Sequence, residues 1–245
     1  MELVVVAIAA LLTSILSAVA GLGGGVILLA VLLQIFVPVV AIPIHGGIQL
    51  VSNGSRAWIL RSEISWPVFW RVALPILPAS VVGVLVATSL PEVAIRIVLG
   101  VFILVLAWKP GLLRWGGERP GQRRLLVGVG AVSGFLTSSI GVSGPVTSPF
   151  LKAFTPSHVA FVASAAATQV VAHGAKVAAY SVESFRVQDY ASVIAVGAVA
   201  VVAGSWVGSR LIGRLSEQQL ALVFRWVLTV LALRVLWQGV SALLV

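Results

Sequence analysis

Cysteine is absent from the 245-residue chain, which excludes disulfides, thiol chemistry and cysteine-bound metal and leaves the redox compartment open. Acidic side chains are nearly as scarce, with seven Asp and Glu against 16 Lys and Arg. No carboxylates pair inside the apolar segments, and the three histidines have no carboxylate or cysteine at ligand spacing, so no metal site of the usual kinds is expected. An intramembrane enzyme would need a paired nucleophile and base or a metal-bound water, and the chain offers neither, so it is read as a non-enzyme without a cofactor. Basic patches interleaved with exposed aromatics are missing too. The net charge of +9 therefore does not indicate nucleic acid; the basic residues stand singly beside apolar runs, as topology markers and substrate contacts.

What is present is apolar. Hydrophobic residues make up 60% of the chain and charged ones 9%, and mean hydropathy is +1.12, more than a soluble core could hide. We expect an all-α integral membrane protein with membrane lipids as partners. At about 20 apolar residues per span there is room for roughly eight to ten membrane segments, and the residue types favour helices over alternating barrel strands.

The chain repeats itself at an offset of 120 residues. Gln49 recurs as Gln169, Asn53 as His173, Gly54 as Gly174, Arg56 as Lys176 and Glu63 as Glu183; upstream, Gly21 recurs as Gly141 and Gly24 as Gly144. On a helix, His45, Gln49, Asn53 and Arg56 fall within an arc of about 80°, as do Gln169, His173 and Lys176, so each half presents one polar stripe. Residues 1–108 form the first repeat, 109–124 a basic linker, and 125–245 the second repeat, within one membrane transport domain. Residues 2–20 end in a sequence resembling a signal-peptidase site, but no Lys or Arg precedes it and residues 125–140 are its counterpart in mid-chain, so the segment is assigned to the fold.

Each repeat is read as a helical hairpin bent at a glycine turn, followed by three transmembrane helices. In the first half the turn is 21–25, a short arm runs over 26–37, and helices follow at 41–60, 67–89 and 93–108; in the second the turn is 141–145, the arm ends at 154, and helices follow at 156–180, 190–208 and 220–244. A hairpin adds zero or two crossings, so each half crosses an odd number of times and the repeats should be inverted; were residues 26–60 one broken span, the halves would instead be parallel and Arg210 and Arg214 external. By the positive-inside rule the linker is cytoplasmic, together with Arg61, Arg71, Lys152, Arg210 and Arg214, and both termini lie outside.

The turn residues Gly23, Gly24, Gly25 and Gly144 precede helix starts, whose unpaired N–H groups and positive dipole end suit an anion, although glycines also serve close helix crossing. The Lys and Ser/Thr of a P-loop are absent. Arg56 and Lys176 near helix ends could snorkel, but sharing register with Gln49 and Gln169 favours attraction of an anion. His45 and His173 read as helix–helix hydrogen bonders or substrate contacts, and Ser143, Thr147, Thr168 and Ser52 as oxygen binders or back-bonders to their own helices. Trp58, Trp66, Trp70, Trp108 and Trp115, near segment ends, read as interfacial anchors.

At these residues, the 21–25 turn, the Gln49, Asn53 and Arg56 helix, the basic linker and the second copy with Gln169, the chain resembles the sulfite exporter (TauE/SafE) family, also called the toluene-sulfonate uptake permeases (TSUP). The resemblance spans essentially the whole chain. It implies a multi-pass transporter of the bacterial or archaeal plasma (inner) membrane, carrying sulfite, sulfonates or similar small sulfur-containing anions without ATP hydrolysis. The second turn departs from it, with Ser143 and Pro145 where a glycine-rich copy is expected. The function expected is secondary transport by alternating access. An anion channel, or a carrier of carboxylate, sulfate or thiosulfate, stays open beside it, as do a coupling proton or sodium ion and a homo-oligomer.

Overall fold

The computed structural model describes residues 2–20, 24–113, 124–183, 185–210 and 217–242, and among these the chain is all-helical, with no strand. The first half forms α1 (Glu2–Ala20), α2 (Gly24–Ile35), α3 (Pro38–Ile59), α4 (Trp66–Ser89) and α5 (Glu92–Trp108). The second forms α6 (Leu125–Ser139), α7 (Gly144–Phe154), α8 (His158–Val182), α9 (Ala191–Ser209) and α10 (Glu217–Ser241). Gly21, Gly23, most of the expected linker with Trp115, and Arg214 lie outside the described residues.

Helix length sorts these elements. The 12 residues of α2 and 11 of α7 span about 18 and 16 Å at about 1.5 Å per residue, well short of a hydrocarbon core of about 30 Å. The expected short second arms are therefore present, and α1 covers residues 2–20, the bounds read from the sequence. Trp66–Ser89, Val187–Gly208 and Leu222–Ser241 are long and apolar enough to cross a membrane. The polar stripes of α3 and α8 dilute their hydropathy, though at 22 and 25 residues both are long enough.

Two boundaries move for local reasons. The helix expected from residue 41 begins at Pro38, where the missing N–H falls among those that have no helical partner anyway; Pro43 then sits inside it and leaves the Val39 carbonyl without its helical donor. The helix expected from residue 156 begins at His158, because Ser157 caps it by accepting the Ala160 N–H at 3.0 Å.

Large apolar residues face outward, among them Leu74 on α4, Val199 on α9 and Val230 and Leu233 on α10, while Leu29, Ile44, Ile48, Leu99 and Ile103 fill the interior. Lipid is the solvent that tolerates this outer face. Trp58, Trp66, Trp70 and Trp108 are exposed near helix ends, as interfacial anchors would be.

Helix partners exchange with the halves. α1 packs on α9 as α6 packs on α4, and α3 contacts α8 and α9 as α8 contacts α3 and α4, whereas the α2–α10 contact has no comparably extensive counterpart between α7 and α5 among the described residues. Both long crossings use small residues. Ser14 donates to the Val201 carbonyl at 2.6 Å where Gly204 meets the Leu11 carbonyl, and Ser80 donates to the Gly134 carbonyl at 3.5 Å where Gly83 meets Phe135.

Corresponding helices run antiparallel where they touch. Gly46 of α3 faces Lys176 and Val177 of α8, Leu50 reaches Gly174, and the Ser65 N–H beyond α3 donates to Ser164 Oγ at 2.9 Å. Along α5 and α10, Arg96 meets Gly239, Gly100 meets Leu236, and Trp108 Nε1 donates to Thr229 Oγ1 at 2.8 Å. Arg96 adds a tie to the end of α2, donating to the Leu33 carbonyl at 3.1 Å and to Gln238 Oε1 at 2.8 Å while pairing with Glu92.

The α4–α6 crossing depends on Gly134, where any Cβ would run into the Ile76 carbonyl, whereas nothing lies within 4 Å of a Cβ at Gly128 on the same helix. Gly134→Val should cost about 1–3 kcal/mol and lower the thermal unfolding midpoint of the detergent-purified protein, with Gly128→Val parent-like. Equal midpoints for the two variants would show that this crossing does not hold the fold.

Candidate anion-binding cavity

The polar stripes meet the two short helices at mid-depth. Gly25, in the first turn of α2, lies against the Gln49 amide and the His45 ring, halfway along α3. Ser143, the residue before α7, accepts from Gln169 Nε2 at 3.2 Å, halfway along α8. Both short helices therefore start in the interior, with first-turn N–H groups that have no helical acceptor. Gly141 sets up the second turn: its φ of +84° is the left-handed conformation that glycine adopts without strain, and a Cβ there would collide with Leu29.

A cavity of about 160 Å³ opens where α2, α3, α7 and α8 converge. Gly25, His45, Gln49, Asn53, Arg56, Ser143, Gly144, Thr147, Gln169 and His173, all expected at the site from sequence, line it, together with Phe161 and Val162. Gly24 instead lines a neighbouring cavity of about 50 Å³, between α1, α2, α3 and α9, that shares Gly25, Gln49, Asn53 and Arg56. Gly23 lies outside the described residues. Lys176 lines neither: its Nζ sits behind His45, 3.5 Å from Nδ1, and donates to the Gly141 carbonyl at 3.3 Å.

Hydrogen bonding separates the supports from the open donors. Ser143 Oγ accepts from Thr137 at 2.7 Å and from Gln169, and shares a bond with Ser133 at 2.9 Å, which fills the capacity of one hydroxyl. Ser143 thus holds the Gln169 amide in place. Asn53 and Thr147 bond back to the Gln49 and Ser143 carbonyls, and Thr168, which does not line the cavity, bonds back to the Ala165 carbonyl. Arg56, the Gln49 amide and His45 Nε2 have no hydrogen-bond partner among the described residues.

Charge in this region has one sign. The ion pairs among the described residues are Arg96 with Glu92 and Arg186 with Asp189, and no carboxylate lines either cavity. Half-buried Arg56 is consequently a cation without a protein counter-charge among the described residues, and the fully buried Lys176 amine has no carboxylate partner there either. Such an arrangement favours an anion, which would meet a planar guanidinium, amide N–H groups and two helix starts. Lys176 is not snorkelling from a helix end, since its side chain is 0% exposed.

Sequence reading missed Ser133, Thr137 and Gly46. The first two stand four apart on α6, a spacing that puts both hydroxyls on one face, and this was a usable signal. Gly46 matters because a Cβ there would lie 2.5 Å from Lys176 Cε; only the partner helix reveals that.

The model of the family described as "Sulfite exporter TauE/SafE" matches residues 6–235. Comparisons with curated proteins and with solved structures give no significant match.

Gly144 faces open space, with nothing within 4 Å of an added Cβ, so a side chain there enters the cavity without disturbing the fold. Gly144→Val should unfold at the parent's temperature but bind small oxyanions such as sulfite at least about tenfold more weakly, about 1.4 kcal/mol, by calorimetry. Parent-like affinity in the folded variant would leave the α7 turn a packing feature alone.

Proposed function

The chain belongs to the sulfite exporter TauE/SafE family, a family of membrane transporters, and from that premise we propose that it is a secondary transporter of a small sulfur-containing anion. Sulfite, a sulfonate or a similar organosulfonate fits the chemistry. One observation carries this reading: an interior cavity at two helix starts is walled by Arg56 and faced by no carboxylate. Arg presents two N–H groups at the spacing of two oxyanion oxygens, and the Gln49 and Gln169 amides add donors beside it.

Alternating access explains the division of the interior better than an open channel does. A second cavity, of about 360 Å³ and lined by Tyr180, Arg186, Asp189 and Tyr190, lies beyond the buried layer of Ile44, His45 and Lys176. The anion cavity is therefore separated from that side, as a carrier resting in one of its two states would be. Inverted repeats supply the motion, with one five-helix half rocking against the other. Their support is that α3 and α8, and α5 and α10, which correspond between halves, are antiparallel at their contacts, as an axis in the membrane plane requires.

Charge sets the orientation. Arg61, Arg71, Lys109, Arg124, Lys152 and Arg210 fall at one end of the helices, while Glu92, Glu183 and Asp189, with Arg186, fall at the other. The basic end is assigned to the cytoplasm of a plasma membrane. Because the chain has no cysteine, introduced ones report cleanly: Ser62→Cys should resist an impermeant maleimide in intact cells and Gln188→Cys should react, both being exposed positions. The reverse labelling pattern would overturn the orientation.

Replacing Arg56 tests the site. Arg56→Gln should weaken binding of the transported anion by about 1.5–3 kcal/mol, roughly ten- to a hundredfold in Kd, and Arg56→Lys should recover only part because a point charge lacks the paired donors. A thermal-shift screen against sulfite, thiosulfate, taurine, sulfate and carboxylates identifies the anion, and calorimetry on the two variants measures the loss. Unchanged affinity in Arg56→Gln would remove the residue from the site.

A further inference from the structure

Behind the cavity lies a cluster that anion binding by Arg56 leaves unexplained. His45 spans two environments: its Nε2 has no hydrogen-bond partner and points toward Gly25 on the cavity side, while its Nδ1 lies 3.5 Å from the Lys176 amine. His173, whose ring sits edge-on to that of His45 with centroids 5.7 Å apart, also has an unpartnered buried nitrogen, Nδ1. The Lys176 stem crosses α3 over the bare Gly46, and its amine has a single backbone acceptor, Gly141. A mere structural ammonium would be expected to fill its donors or meet a carboxylate.

We propose that Lys176 is a proton-binding site loaded from the cavity through His45, so that one proton travels with each anion. This rests on the anion-transport reading above. In the loading step a proton from cavity water adds to His45 Nε2 and the Nδ1 proton passes to the neutral Lys176 amine, leaving one ammonium and a neutral imidazole. Unloading reverses the two transfers. An anion beside Arg56 and Gln49 stabilises the ammonium behind His45, and by reciprocity the ammonium raises affinity for the anion. The titratable groups facing Lys176 are His45 on α3 and, on its own helix, His173 and Tyr180, whose hydroxyl donates to the Ser138 carbonyl at 3.1 Å. Of the neighbours, α6 and α2 carry no ionisable residue, α4 carries only Arg71 near its start, α7 only Lys152 near its end, and α3 adds Arg56 at the cavity wall.

Methanesulfonate and thiosulfate are suitable probes because neither takes up a proton near neutral pH, so any proton that moves belongs to the protein. Calorimetry of the full chain in two buffers of different ionisation enthalpy should show proton uptake on binding of either anion, with Kd rising by up to about tenfold per pH unit over the range where the amine is neutral in the free protein. Lys176→Met should abolish both the uptake and the pH slope. His45→Gln should keep the uptake at equilibrium but slow anion flux into proteoliposomes driven by a pH gradient. Binding without proton exchange in the parent overturns the proton site while leaving the anion site standing, and a parent-like slope in Lys176→Met places the proton elsewhere. Failure of both anions to bind at any pH would instead overturn the anion reading itself.

Discussion

An unopposed positive charge in a poorly polarisable interior is the constraint on which the rest depends. Two unit charges 4 Å apart interact by about 4 kcal/mol at an effective dielectric near 20, and a buried cation without its partner costs several kcal/mol. The protein places Arg56 and Lys176 inside, and among the described residues no carboxylate pairs with them. Lys176 has a turn carbonyl at Gly141 to offset that cost, and for Arg56 the transport reading leaves it to the substrate itself. Binding energy then comes from relieving a charge the fold leaves uncompensated, which favours an anion over any neutral solute of the same size.

Holding such a site in lipid requires backbone to end there without exposing it to hydrocarbon. Polar backbone groups cannot remain open in the bilayer core unless protein or a polar cavity covers them. Starting α2 and α7 at mid-depth satisfies this, because each first turn abuts a polar stripe, Gly25 on Gln49 and Ser143 on Gln169. The longer helices close around that arrangement through small-residue crossings at Gly134 and Gly204. Fold and site are thus one design: the short helices would be untenable without the stripes, and the stripes would be costly without helix starts to face.

Much of this was legible in the sequence because duplication doubled each signal. Gln49 with Gln169 and Gly24 with Gly144, at one offset, located the stripes and the short helices, and ten of the expected site residues line the main cavity. Relations between helices were not legible. That Ser143 spends its hydroxyl on Ser133, Thr137 and Gln169, and that Lys176 passes over Gly46 and His45, depend on packing partners on other helices, which periodicity along one helix cannot encode.

The two halves differ at the point where equal copies would give two equal cations. Exchanging the halves carries Lys176 onto Arg56 and Gly46 onto Ala166, so the gap that lets the lysine stem cross α3 is filled by a methyl group on α8. Ala166 and Arg56 both line the cavity. His45 likewise has only Ala165 as its counterpart, so nothing on α8 matches the imidazole that faces Lys176. Arg keeps its proton in any protein environment, whereas lysine can serve as ammonium or as neutral amine. In the transport reading, the Arg/Lys difference together with the bare Gly46 divides the pair into a permanent charge facing the anion and a proton-exchanging amine behind a histidine, a division that strict symmetry between the halves would forbid.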